Sequence, residues 1–196
     1  MIVNVLRGLL ERVTKMFPVI NSDHAFIHTG IAHKARLDVG TLAHSTSEEY
    51  SFKTPSGGYV HFKNLKLTSV GATVAVELKR GTTTNPLTVN SVSSATSELT
   101  GPGNINDVST KTSGCAIGKT PVYKDGTENG ELWDKIIAPG SGTNQFQSVS
   151  QTMMSDNFEY VMKPDTYYVI KFENLSGEDA ASDVALELFW YEEVDG

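Results

Sequence analysis

The chain contains a single cysteine, Cys115. An internal disulfide framework and a cysteine-rich zinc module are therefore both excluded. No uninterrupted apolar run reaches the length that a membrane-spanning helix needs, so no membrane association is expected. Basic residues are scarce: 16 Lys and Arg stand against 23 Asp and Glu, for a formal charge of −7. That balance argues against a nucleic-acid partner. The scarcity is sharpest at the end, where no basic residue follows Lys171 although Glu173, Glu178, Asp179, Asp183, Glu187, Glu192, Glu193 and Asp195 do. Residues 1–80, by contrast, carry 10 basic and 6 acidic residues. The chain is thus mildly basic at its start and acidic over the rest, an arrangement suited to an acidic partner at one end and solvent at the other.

What is present fits a folded domain. At 196 residues, with 39% hydrophobic and 20% charged residues, the chain is long enough for one core plus an appendage. The appendage is residues 1–22. There Ile2, Leu6, Leu9, Val13 and Met16 recur in steps of four, three, four and three, which is a heptad seam. Val3, Leu10 and Phe17 widen the apolar face, Arg7, Glu11, Arg12 and Lys15 fill the other side, and Pro18 supplies a stop. The spacing predicts an amphipathic helix over 2–17. Arg7 interrupts the apolar run and no small-residue cleavage site follows, so a secretory signal is not expected. A helix this short needs a surface to bind, on its own domain, on copies of itself or on another protein. Ile2, Leu6, Leu9, Leu10, Val13, Met16 and Phe17 are accordingly the candidate partner-binding residues.

From residue 23 to 196 the period changes to two. Ala72, Val74, Val76 and Leu78 alternate with Thr73, Ala75, Glu77 and Lys79, and Val184, Leu186, Leu188 and Trp190 repeat the pattern. Between Val60 and Leu67 the apolar set moves from even to odd positions, which predicts a β-bulge near Asn64. Residues 166–172 (TYYVIKF) are apolar on both faces and read as a central strand. Further strands are expected at 24–30, 33–38, 48–53, 87–92, 121–124 and 131–137. Residues 90–120 and 140–157, rich in Ser, Thr, Gly, Asn and Gln, read as long surface loops and as possible partner surfaces. The expected fold is all-β, an antiparallel β-sandwich of jelly-roll type carrying an N-terminal amphipathic helix or arm.

Motifs for chemistry fail on spacing. Residues 113–120 (SGCAIGKT) approach a phosphate-binding loop, but the glycine required five positions before the Gly-Lys pair is Ser113, and Pro121 follows at once. No Gly-x-Ser-x-Gly elbow occurs, and Cys115 has no histidine near it in sequence. His24, His28, His33 and His44 cluster in sequence, yet His24 and His28 on one strand would stand about 13 Å apart, too far to share an ion. The run from Asp125 to Glu131 lacks the alternating ligands of a calcium loop. No catalytic residue, cofactor or metal is expected. Of the aromatic residues, Trp133 is the one placed to stack on a sugar from an exposed position.

The segments HAFIH (24–28), YVHF (59–62) and, most of all, KPDTYYVIKFENLSG (163–177) followed by VALELFWYE (184–192) resemble small structural proteins encoded in tailed-phage virion gene clusters. In those proteins a Pro-x-Thr-x-Tyr lead-in opens one strand, an Asn-x-Ser-Gly turn follows, and a Trp-Tyr-Glu strand closes the sandwich. The resemblance implies a capsid decoration (cement) protein or a related head or tail accessory protein, without catalytic residues. It implies the major capsid protein and other virion proteins as partners, self-association with a trimer favoured, and a place in the phage head after assembly in the host cytoplasm. The alternative is a tail or head-fibre module for receptor or glycan recognition. The heptad helix is a departure from that pattern.

Overall fold

A computed structural model of the chain describes residues 29–91, 99–104, 111–123, 129–140, 148–153, 159–176 and 181–193. The predicted helix over 2–17 and the strand positions 24–28 lie outside them. Thirteen strands are present among the described residues: β1 (Ala32–Leu42), β2 (Ser47–Lys53), β3 (Val60–Gly71), β4 (Val74–Arg80), β5 (Val89–Ser91), β6 (Leu99–Asn104), β7 (Ala116–Lys119), β8 (Val122–Tyr123), β9 (Glu131–Ala138), β10 (Ser148–Met153), β11 (Tyr160–Met162), β12 (Tyr167–Asn174) and β13 (Ser182–Glu192). The fold is all-β, with two large antiparallel sheets. One runs β10-β3-β13-β1-β6, with β11 also on β3, and the other runs β7-β2-β12-β4-β9. A two-stranded ribbon, β5-β8, completes the set.

The alternating patterns place the core where they predict it. Val74, Val76 and Leu78 of β4 are fully buried, as are Leu186 and Trp190 of β13. Strand β12 is central, lying between β2 and β4, and buries Val169 on one face with Tyr168, Ile170 and Phe172 on the other. The predicted bulge is at Lys63: Phe189 pairs with Asn64 and Trp190 with Phe62, leaving one residue over. The extra residue turns Phe62, Leu65 and Leu67 all toward the core, which strict alternation could not do. Phe52 of β2 meets Phe62 of β3 and Trp190 of β13 edge-on, each at 5.4 Å between ring centres, joining the two sheets.

Two expectations need correction. The segments 90–120 and 140–157 are not continuous loops, because β6, β7 and β10 lie within them and each joins a sheet. Short edge strands form within segments rich in Ser, Thr and Gly when a neighbour supplies their hydrogen bonds, so composition alone misleads there. At the start of the body, Thr29 and Gly30 precede β1 and belong to no strand, although 24–30 was expected to be one.

Because β1 begins and β13 ends at the same end of the body, that end is called the terminal pole. Glu192 N donates to Ile31 O at 3.0 Å and Glu193 N to Tyr59 O at 2.9 Å, which ties the last strand to the segments leading into β1 and β3. The first described residues, 29–31, therefore stand at this pole.

Candidate functional site at the terminal pole

Three polar assemblies and one backbone staple converge at the terminal pole. The staple is Thr54, which is 1% exposed. Its hydroxyl donates to Lys163 O at 2.6 Å and accepts from Thr166 N at 2.9 Å, while its own amide donates to Thr166 O at 3.0 Å. The turn after β2 is thereby locked to the turn before β12. Replacing Thr54 by Val keeps the shape and leaves Lys163 O and Thr166 N unpaired, at a cost of about 1–3 kcal/mol. We expect T54V to melt several degrees below the native protein and T54S to retain most of its stability. Coincident melting curves for T54V and the native chain would show that the staple contributes nothing.

The first assembly surrounds Glu192, at the end of β13. Ser113 Oγ donates to Oε1 at 2.5 Å, Gly114 N to Oε2 at 2.9 Å and Trp190 Nε1 to Oε1 at 3.1 Å. His33 Nε2 stands 3.9 Å from the same oxygen. Burial alone would raise the Glu192 carboxyl, but these donors and the nearby imidazole hold it below the usual carboxylate range. Burial lowers His33, against the pull of Glu192. Burial, followed by the Glu192 charge, pushes the Cys115 thiol up. Gly114 is required by space: a Cβ there would sit 2.8 Å from Pro55 Cβ.

This constellation unites a serine, a histidine, a carboxylate and a thiol, yet its geometry fastens a segment instead of activating a nucleophile. Ser113 gives its proton directly to the carboxylate and accepts Cys115 N at 3.0 Å, so its oxygen is committed on both sides. The thiol is buried and kept neutral. Sequence reasoning missed the grouping because 79 to 159 positions separate Glu192, Ser113 and His33. The only available signal was the Trp-Tyr-Glu ending itself.

The second assembly lies on the outer side of the same strands. His61 Nδ1 is 2.9 Å from Glu159 Oε1, and Nε2 is 3.1 Å from Glu193 Oε1. Its ring stacks on Tyr191 at 4.5 Å, and Tyr191 OH donates to Glu159 Oε2 at 2.5 Å. Lys63, the bulge residue, reaches Glu159 at 3.5 Å. Burial works to raise Glu159, but the bonds from Tyr191 and His61, with the Lys63 charge, lower it overall. The segments before β11 and after β13 are thus both fixed to β3.

The third assembly decides the fate of Trp133. A bulge in β9, where Leu78 pairs with Asp134 and Lys79 with Leu132, turns this side chain toward the core. Its ring lies 4.7 Å from Tyr160 and 5.6 Å from Tyr168, and the Arg80 guanidinium sits 4.8 Å from its centre. Tyr160 OH donates to Asp134 Oδ2. Trp133 is half-buried and already in contact with three partners, so the exposed stacking position expected from the sequence is corrected.

The candidate partner residues Ile2, Leu6, Leu9, Leu10, Val13, Met16 and Phe17 lie outside the described residues, as do His24 and His28. The remaining histidines are dispersed. His33 faces Glu192, His61 bridges two carboxylates, and His44 bonds Ser45 at 3.0 Å and Ser176 at 3.3 Å. Among the described residues no group of three or more His, Cys, Asp or Glu side chains is arranged to hold a metal ion. The residues that carried the phage resemblance act as fasteners: Lys163 N donates to Tyr168 OH at 2.9 Å, Thr166 Oγ1 to Pro164 O at 2.8 Å and Ser176 N to Asn174 Oδ1 at 3.0 Å. No protein-family model matches the chain, and no curated protein matches it.

Proposed function

We propose that this chain is a virion structural protein of a tailed phage, a capsid decoration protein that attaches to the major capsid protein lattice through its N-terminal arm and stabilises the head. The observation that carries this reading is the strand order. Removing the added strands β6 and β7 leaves β1-β13-β3 with β10 and β11 in one layer and β2-β12-β4-β9 in the other. Four positions against four, with the chain crossing between sheets after β1, β2 and β3, is what a jelly-roll sandwich requires and so supports the reading, since viral capsid domains use that architecture. The terminal pole supports the same reading. The described chain begins at this pole, where Thr54, His61 and Glu192 tie neighbouring turns together, so load passed to it from an N-terminal arm on a lattice would enter a braced base.

In this reading the protein works as a homo-oligomer, with a trimer favoured, within the phage head, and it uses no cofactor. Weak contacts repeated over a closed lattice add up, so shell strength rises more than one site would give. Particles assembled without the protein should form normally and lose their DNA at a lower temperature, and purified protein added back should restore heat resistance. Unchanged heat resistance together with lost adsorption to host cells would instead favour a tail or head-fibre recognition module.

A further inference from the structure

We infer that Glu192, His33 and the segment 111–115 form an acid-operated latch that keeps Cys115, the segment's last residue, buried at neutral pH and releases it when the medium is acidified. Two of the three donors to the Glu192 carboxylate, Ser113 Oγ and Gly114 N, come from this segment. The third, Trp190 Nε1, comes from the core. One carboxylate therefore fastens a segment of the long β4–β9 connection, just before β7 joins β2, to the end of β13. Among the described residues, the groups that face it are His33 from β1 and Ser113 and Cys115 from the segment itself. His33 is 2% exposed, and its Nδ1 has no hydrogen-bond partner among the described residues. A charge on that ring would be stranded in the closed state and solvated in the open one.

The direction of the pH effect follows from linkage. His33 has its ordinary value of 6.5 lowered in the closed state, and Glu192 its 4.5 lowered likewise. An open state that returns both groups to water binds more protons at acid pH. Opening is thus favoured as pH falls below 6.5 through His33, and further below 4.5 through Glu192. Cys115, 7% exposed at the end of the segment, is the natural reporter.

The test uses the full chain and 4,4′-dithiodipyridine, a disulfide that reacts with thiols in acid as well as at neutral pH. The Cys115 sulfur bonds to one reagent sulfur, the S–S bond breaks, and the other half departs with the thiol proton as 4-thiopyridone, which is read optically. Rates are divided by those of glutathione at each pH, and far-ultraviolet circular dichroism is recorded in parallel. We expect the normalised rate to rise about tenfold or more between about pH 7 and pH 4.5 with the strand signal intact. Glu192→Gln should react about tenfold faster than the native protein at pH 7, with a flatter pH profile. Ser113→Ala, at a half-exposed position, should also react faster at pH 7 and keep the His33-dependent rise. A flat native profile, exposure of Cys115 only together with loss of the strand signal, or native-like protection in folded Glu192→Gln or in Ser113→Ala would overturn the latch.

Discussion

Truncating Trp190 to alanine is expected to destabilise the protein by about 3–5 kcal/mol, the largest single-residue effect anticipated in the body. The indole is fully buried, at 0% exposure. It is edge-on to Phe52 at 5.4 Å and parallel to Phe62 at 6.5 Å, so its loss leaves a cavity bounded by both sheets. Two close-packed sheets relax poorly into such a space, because each strand is held in register by its neighbours. The substitution also removes the Nε1 donor from Glu192 and loosens the fastening of residues 113–115. For a chain of this size the loss corresponds to a drop of about 10 °C in melting temperature. W190F should recover most of the packing and none of the hydrogen bond, which separates the two contributions. A shift of only a degree or two in W190A would show that the aromatic cluster does not join the sheets.

If the chain is the proposed decoration protein, replacing Leu9 and Val13 together by Asp is expected to abolish attachment to capsids while leaving the body folded. Both residues lie on the heptad seam, where an unpaired carboxylate pressed against an apolar partner costs roughly 3 kcal/mol or more, about a hundredfold in affinity for each contact. Among the described residues, the core that joins the two sheets is built from residues between Ala35 and Trp190. The melting temperature should therefore stay within about 2 °C of the native protein, the range of a surface change. The measurement is copy number on capsids after add-back, with thermal melting of the free protein as control. Normal decoration by the double variant would remove the arm from the proposed mechanism. A large fall in melting temperature would show that the seam packs on its own body.

Much of the body was legible in the sequence because a strand buried on one side must alternate. The positions Ala72, Val74, Val76 and Leu78 are all within 6% exposure, as that rule demands. The Lys63 bulge was also readable, since a change of apolar phase within one strand requires an extra residue. Strands β6, β7 and β10 were not, because their burial or pairing comes from neighbours and leaves little trace in Ser- and Thr-rich segments. Trp133 illustrates the same limit from the other side. Its exposure depended on a bulge created by pairing with β4, and that pairing packed a candidate ligand surface against the core.

By itself the sequence determined that the chain is built of strands, that Cys115 has no partner for a disulfide, and that an amphipathic segment precedes the body. These follow from residue type and spacing along the chain, which act locally. The meeting of Glu192 with Ser113 and His33, and of His61 with Glu159 and Glu193, was decided only by the tertiary structure. Each pair is brought together by strands that cross between or within the sheets over long chain separations. A carboxylate near the chain end has no intrinsic reason to seek a serine 79 residues earlier. It does so because both stand at the same pole of a closed, two-sheet core, where a buried charge must find donors from whatever segment the fold supplies.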